Sequence, residues 1–157
     1  MQVFLIRHAK AVDETLELPD HARHLTPHGR VQAKSLGDRL RWYDCEPTHV
    51  WSSPLVRAVQ TAELLVVGLG CEKPVEIMPL LAPYESPRDL VAALGKLPAE
   101  AVVIAIGHEP GLSAVGALLV GQFDFPGLDK ATAARIVDGQ LRWRFAWNAE
   151  APEIIAG

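Results

Sequence analysis

The sequence is poor in cysteine, since only Cys45 and Cys71 occur among its 157 residues. Two cysteines are too few for a disulfide scaffold, and they do not form a metal-binding pair. Because such thiols stay reduced inside the cell, we expect a cytoplasmic protein. Long apolar runs are also missing: the N-terminal run over residues 3–6 is followed at once by Arg7 and His8. This pattern predicts neither a signal peptide nor a membrane span.

An excess of positive charge is missing too. Lys and Arg together number 15 against 19 Asp and Glu, which gives a formal net charge of -4. This balance argues against nucleic acid or an anionic membrane as a partner, although it is compatible with a local site for a small anion. Neither a low-complexity linker nor a fixed repeat divides the chain, so we expect one domain over residues 1–157, and a monomer.

Strand and helix patterns alternate along most of the chain. Apolar runs predict strands over 2–6, 48–51, 74–78 and 101–106. A capping residue followed by proline predicts helices that open at Thr26-Pro27, Ser53-Pro54 and Ser86-Pro87, and a fourth helix follows Pro110. The segments 132–137 and 141–147 predict a hairpin around Asp138-Gly139. The sequence therefore predicts a three-layer α/β/α fold, with a mainly parallel central sheet and a C-terminal antiparallel hairpin.

Ligands of open α/β sheets bind beyond the carboxyl ends of the strands. The residues that follow the predicted strands include two arginines and two histidines, and they are Arg7, His8, Ser52, Ser53, Arg57, Gly107, His108 and Glu109. Arginine offers a fork of donors that fits phosphoryl oxygens, and two arginines neutralise a dianion. A neutral, oriented histidine can attack phosphorus, provided that an acceptor such as a backbone carbonyl fixes its tautomer. The sequence therefore predicts phosphoryl chemistry at this edge of the sheet.

Three segments resemble the histidine phosphatase superfamily, which has the phosphoglycerate mutase-like fold. Residues 5–9 (Leu-Ile-Arg-His-Ala) resemble its Arg-His-Gly signature, with Ala9 in place of the usual glycine. Residues 52–62 are similar to its second motif and residues 106–110 to its third. The small size, the start Met1-Gln2-Val3-Phe4 and the segment Arg23-His24-Leu25-Thr26 resemble the SixA-type phosphohistidine phosphatases within that superfamily.

The resemblance implies a role for each matched residue. His8 is the expected nucleophile, which becomes a transient phosphohistidine. Arg7, Arg57 and His108 are expected to hold the phosphoryl oxygens, and water then hydrolyses the phosphoenzyme without metal or other cofactor. The implied substrate is a phosphohistidine protein, of a signalling phosphorelay or a similar system.

The residue that would protonate a leaving group stays open. Glu85 is a candidate general acid, although an exposed loop glutamate beside a helix cap explains it better, and Glu109 is a weaker candidate. SixA-type members resemble enzymes that need no such acid, because the nitrogen of a phosphoramidate leaves easily. Lys130 and Thr132 are candidates for substrate contact, with a plain edge-strand role as the stronger alternative.

Two other functions remain alternatives: a small-molecule phosphomonoesterase of the same superfamily, and a phosphohistidine-binding module without turnover. A metal site is a weaker hypothesis. It would use the remaining histidines, but prolines at 19 and 27 interrupt any helix that could align them; these histidines are His21, His24, His28 and His49.

Overall fold

A computed structural model describes residues 1–155 as one mixed sheet with helices on both faces. The strands are β1 (Gln2–Arg7), β2 (His49–Ser52), β3 (Val75–Ile77), β4 (Val102–Gly107), β5 (Thr132–Val137), β6 (Gln140–Ala146) and β7 (Glu153–Ile154). The helices are α1 (Pro27–Leu40), α2 (Val56–Leu69), α3 (Pro87–Gly95) and α4 (Gly111–Val120). Single 3-10 turns lie at Asp20–Ala22 and Pro79–Leu81.

The strand order across the sheet is β3-β2-β4-β1-β5-β6-β7. The first four strands in this order are parallel, and β5, β6 and β7 join them as antiparallel strands. The predicted α/β fold with a mainly parallel centre and a C-terminal hairpin is therefore confirmed. Strand β7 adds a third antiparallel strand beside β6, and its two residues are too few for a periodic pattern to predict.

Strand β1 lies in the middle of the sheet and is covered on both faces. Alternate side chains point to opposite faces of a strand. One face of β1 packs into a cluster that includes residues of α3 and α4, namely Val3, Leu5, Leu90, Leu94 and Leu112. The other face packs into a cluster that includes residues of α1 and α2, namely Phe4, Ile6, Leu36, Leu40 and Leu65. Each fully buried side chain of this size stabilises the fold by about 1.5–3 kcal/mol.

Two of the three predicted helix starts are confirmed. The Thr26 hydroxyl caps α1 by accepting the Gly29 N–H at 2.9 Å, and the Ser86 hydroxyl caps α3 by accepting the Asp89 N–H at 3.3 Å. The predicted start at Ser53-Pro54 is wrong, because α2 begins at Val56 with Leu55 as an extended N-cap residue. The Ser53 hydroxyl instead contacts His108, so no helix N-terminus lies at Pro54.

Helix α1 buries most of the face that its large apolar residues predict. The pattern predicts Val31, Leu36, Leu40 and Tyr43 on that face, and Leu36 and Leu40 are fully buried, but Val31 is 56% exposed and the helix ends at Leu40, before Tyr43. Gly37, on the same helix, packs directly on α2. A Cβ atom on Gly37 would lie 2.2 Å from the Leu65 carbonyl oxygen, so only glycine permits this approach.

Within residues 1–155, none of the helices has the length and apolar character needed to cross a membrane.

Candidate active site

A cavity of about 800 Å³ opens where β1 and β4 end and α2 begins. All four residues predicted from the strand ends line it, namely Arg7, His8, Arg57 and His108. The sheet register explains this convergence, because Arg7 pairs with Gly107 across the two central parallel strands. The residue directly after each strand is a histidine, and the ring centroids of His8 and His108 are 5.1 Å apart.

His8 is buried, with 6% of its surface exposed. Its Nδ1 lies 2.7 Å from the Ala9 carbonyl oxygen. A carbonyl can only accept, so Nδ1 carries the proton and Nε2 keeps its lone pair. Burial lowers the pKa of His8 to about 3, against the opposite effect of the Ala9 carbonyl, and the charges of His108, Arg57 and Arg7 lower it further. His8 is therefore a neutral imidazole at physiological pH, with Nε2 free to act as a nucleophile.

His108 is equally buried and follows β4 directly. Its Nε2 lies 2.7 Å from the Ser53 hydroxyl oxygen. Burial, and next the charge of Arg57, lower the pKa of His108 to about 4, although Asp20 opposes this shift. Both histidines are thus held in the uncharged form by the same physical cause, which is loss of water around the ring.

The two arginines each carry free hydrogen-bonding capacity. Arg7 donates through Nη1 to the Leu128 carbonyl at 3.1 Å, and Arg57 donates through Nη1 to the Asp20 carbonyl at 2.8 Å. The Nε atoms of both arginines and Nδ1 of His108 are buried without a partner among residues 1–155. A buried polar group without a partner costs about 1–3 kcal/mol unless a ligand satisfies it. These three unpartnered nitrogens belong to residues that line one cavity, and two of the residues carry guanidinium charges. This arrangement suits the binding of an oxyanion.

Asp20 and Arg23 also line the cavity, although the sequence did not predict either of them there. Arg23 was noted only as part of the segment that resembles SixA-type members. The Asp20 carboxylate accepts from Arg23 Nη1 at 3.0 Å and from Arg57 Nη2 at 3.3 Å. The hydrogen bond from Arg23 has the largest effect on Asp20, and together with the charge and hydrogen bond of Arg57 it holds the pKa of this carboxyl below its ordinary value. Both residues lie in an aperiodic stretch before α1, so no sequence pattern indicated that it folds back over the start of α2.

Thr61 is a second residue that the sequence did not indicate. Its buried hydroxyl accepts the Ala9 N–H at 3.0 Å and donates to the Arg57 carbonyl at 2.7 Å. Thr61 lies one helical turn after Arg57, so this spacing is the signal that could have suggested it. The hydroxyl ties the segment after His8 to the helix that carries Arg57.

The candidate general acids differ in their surroundings. Glu85 is exposed at the cavity. Glu109 also lines the cavity, but its carboxylate accepts the Ser113 N–H at 2.8 Å, the Leu128 N–H at 2.9 Å and the Ser113 hydroxyl. Both Glu109 oxygens are thus engaged, Oε1 by Ser113 and Oε2 by Ser113 and Leu128. The Leu128 carbonyl in turn accepts from Arg7.

The two candidate substrate contacts also separate. Lys130 is exposed and lines the cavity. Thr132 is buried in β5 and does not contribute to the lining.

The remaining histidines lie apart from the cavity lining. Across residues 1–155, the structure holds no group of three or more His, Cys, Asp or Glu side chains that is arranged to bind a metal ion. His28 instead packs its ring against Trp147, and His49 contacts Trp51 and the Thr48 hydroxyl.

The chain is similar in sequence to known phosphatases. The family model described as Histidine phosphatase superfamily (branch 1) matches residues 3–84. The phosphohistidine phosphatase SixA of Escherichia coli (strain K12) is 32% identical over 112 residues, which cover 70% of this chain and 68% of SixA. A mitochondrial serine/threonine-protein phosphatase Pgam5 of Drosophila virilis is 37% identical over 71 residues, but these cover 45% of this chain and 24% of Pgam5.

Solved structures give the same result for the fold. The protein histidine phosphatase SixA complexed with tungstate superposes with a TM-score of 0.86 at 27% identity, over 94% of this chain and 97% of that one. A putative phosphohistidine phosphatase SixA from Agrobacterium tumefaciens superposes with a TM-score of 0.76 at 20% identity, over 85% of this chain and 89% of that one.

Proposed function

This chain belongs to the histidine phosphatase superfamily, and from that premise we propose that it dephosphorylates phosphohistidine side chains of proteins through a phosphohistidine on His8. The observation that carries the proposal is the state of His8. The ring is buried and neutral, and its proton is committed to the Ala9 carbonyl. Its Nε2 lone pair shares a cavity with the unpartnered donors of Arg7 and Arg57.

The reaction runs in two displacements at phosphorus. Arg7, Arg57 and His108 donate hydrogen bonds to the phosphoryl oxygens and stabilise the charge that develops on them. The Nε2 lone pair of His8 forms a bond to phosphorus while the bond from phosphorus to the substrate nitrogen breaks. The leaving nitrogen keeps that electron pair and takes a proton from water. A second water then attacks phosphorus and loses a proton to the hydroxide that the first step left. The bond from phosphorus to Nε2 breaks with its electron pair on Nε2, which yields inorganic phosphate and a neutral His8.

The hydrogen bonds of Glu109, one of the two candidate general acids, favour a phosphohistidine over a phosphomonoester as substrate. Expulsion of an alkoxide needs proton donation, whereas the nitrogen of a phosphoramidate leaves more readily. Glu109 is committed to Ser113 and Leu128. Glu85 is exposed at the cavity. We therefore propose a phosphorylated protein, from a signalling phosphorelay or a similar system, as substrate. A monomeric cytoplasmic enzyme without metal or other cofactor is the accompanying prediction of the sequence.

The test compares two substrate classes with the purified protein. We expect phosphate release from a phosphohistidine-containing protein to be far faster than release from a panel of small phosphomonoesters. Release from the small molecules alone would contradict the phosphohistidine assignment and favour the alternative, a phosphomonoesterase with Glu85 as its acid. Binding of the phosphoprotein without any release would favour a binding module. Each reaction is run with and without a chelator, and we expect equal rates.

A further inference from the structure

His108 lines the cavity and contacts a buried serine that follows the neighbouring strand. Ser53 follows β2, is fully buried, and places its hydroxyl oxygen 2.7 Å from Nε2 of His108. The backbone keeps the pair together, because the Ser53 N–H donates to the Ile106 carbonyl at 2.9 Å. We infer that Ser53 is a positioning residue that fixes neutral His108 in the tautomer with its proton on Nδ1.

The hydrogen bonds around the hydroxyl select this tautomer. The Ser53 oxygen already accepts the Leu55 N–H at 3.2 Å. Its own proton then has one acceptor within the described residues, which is Nε2 of His108. If Nε2 carried the proton instead, the oxygen would accept twice and the hydroxyl proton would be buried without an acceptor. Such an unsatisfied donor is disfavoured on a fully buried side chain such as Ser53.

The consequence for the cavity concerns the other ring nitrogen. Nδ1 of His108 is buried and has no partner in residues 1–155. With the proton on Nδ1, His108 offers a donor to a phosphoryl oxygen while remaining uncharged. The opposite tautomer would offer a lone pair, which repels that oxygen. This part rests on the proposed function, since it assumes that a phosphoryl group occupies the cavity.

The tautomer itself is measured by nitrogen NMR of protein labelled with ¹⁵N-histidine. The His108 signals are assigned by their loss in His108→Gln. We expect wild-type Nδ1 to show the shift of a protonated ring nitrogen and Nε2 that of an unprotonated one. In Ser53→Ala, both nitrogens should move to intermediate shifts, as two tautomers exchange. A protonated Nε2 in the wild type would overturn the inference, and this result does not depend on whether Ser53→Ala folds.

Ser52 provides a matched control on the adjacent position. It is as buried as Ser53, but its hydroxyl donates to the Ser53 carbonyl at 2.9 Å. We expect Ser52→Ala to keep the His108 tautomer and the wild-type kcat, while Ser53→Ala loses kcat by about tenfold, the worth of one hydrogen bond. Equal losses in both variants would contradict a positioning role.

The two claims fail separately. The NMR spectrum needs no substrate, so wild-type protein that releases no phosphate would contradict the proposed function and leave the tautomer assignment in place. An active enzyme with Nε2 protonated would do the reverse.

Discussion

At the scale of single residues, two histidines of similar exposure differ in which ring nitrogen is hydrogen-bonded to the protein. His8 donates a hydrogen bond from Nδ1–H to the Ala9 carbonyl, which leaves Nε2 free. His108 is bound at Nε2 by Ser53, which leaves Nδ1 free. The two rings, whose centroids lie 5.1 Å apart, therefore differ in the ring nitrogen that is left without a hydrogen-bond partner in residues 1–155, and the proposed mechanism assigns attack to Nε2 of His8 and oxygen binding to Nδ1 of His108.

Glu85 yields a prediction at this scale. If it serves as the acid for an alkoxide leaving group, Glu85→Gln should lower turnover of phosphomonoesters by about a hundredfold or more. Turnover of a phosphohistidine protein should stay at the wild-type level, because nitrogen leaves without that acid. Steady-state rates on both substrates measure the difference, with the exposed Glu100→Gln as the matched control. Equal effects of Glu85→Gln on both substrates would sink the assignment.

The sequence allowed the prediction that Arg7, His8, Arg57 and His108 meet, because each lies at or just beyond the end of a parallel strand, and such ends share one edge. Asp20 and Thr61 escaped because their contacts depend on how a loop folds over a helix and on which face of α2 points inward. No local pattern encodes the Asp20 contact, and only the spacing of one helical turn from Arg57 points to Thr61.

At the scale of elements, helices α1 and α2 pack in direct contact on one face of the sheet. This close approach depends on two glycines. A Cβ on Gly68 of α2 would lie 2.3 Å from the Lys34 carbonyl oxygen of α1, and a Cβ on Gly37 of α1 would lie equally close to the backbone of α2. The helix pair carries Arg57 and Thr61 on α2, so its spacing also sets the position of the cavity wall.

Gly37→Ala tests the role of this spacing. The added methyl would collide with backbone atoms that cannot move aside cheaply, so we expect a loss of unfolding free energy of about 1–3 kcal/mol or more. Gly95 of α3 is the matched control, because a Cβ there meets no atom within 4 Å. Gly95→Ala should be neutral, or stabilising by up to about 1 kcal/mol. Urea denaturation measures both, and similar destabilisation by the two variants would contradict the account.

Most elements were predictable because proline, capping residues and apolar runs mark their ends. The predicted start of α2 was wrong. Serine is a common N-cap residue, but the Ser53 hydroxyl contacts His108 instead of capping the helix. The prediction for the buried face of α1 was partly wrong. Leu36 and Leu40 are buried as predicted, but Val31 is exposed, and the direct contact with α2 is made by Gly37, which has no apolar side chain to reveal it.

At the scale of the whole molecule, a chain with a net charge of -4 gathers four cations around one cavity, together with the carboxylates of Glu14, Asp20, Glu85 and Glu109. The cations are Arg7, Arg23, Arg57 and Lys130. The overall charge therefore says little about the ligand. The same cavity also couples stability to pH, because it buries two uncharged histidines.

The direction of that coupling follows from the lowered pKa values. In the folded protein the pKa of His8 is about 3 and that of His108 about 4, while both are 6.5 in an ordinary setting. Below pH 6.5 the unfolded chain therefore binds more protons, so stability is highest above that pH and falls as the pH drops toward 4. Each histidine contributes up to about 1.4 kcal/mol per pH unit. Urea unfolding from pH 7 to 4.5 should show this slope, and His8→Gln should make it shallower; an unchanged slope would contradict the burial argument.

The central claim is that His8 carries the phosphoryl group during turnover, and rapid alkaline quenching tests it most directly. After mixing with a ³²P-labelled phosphohistidine protein, we predict label on this chain that is stable to base, labile to acid and located on His8 by peptide mapping. The label should be absent from His8→Ala and present in the control His49→Ala. Phosphate release without any labelled enzyme, or label that persists in His8→Ala, would contradict the account.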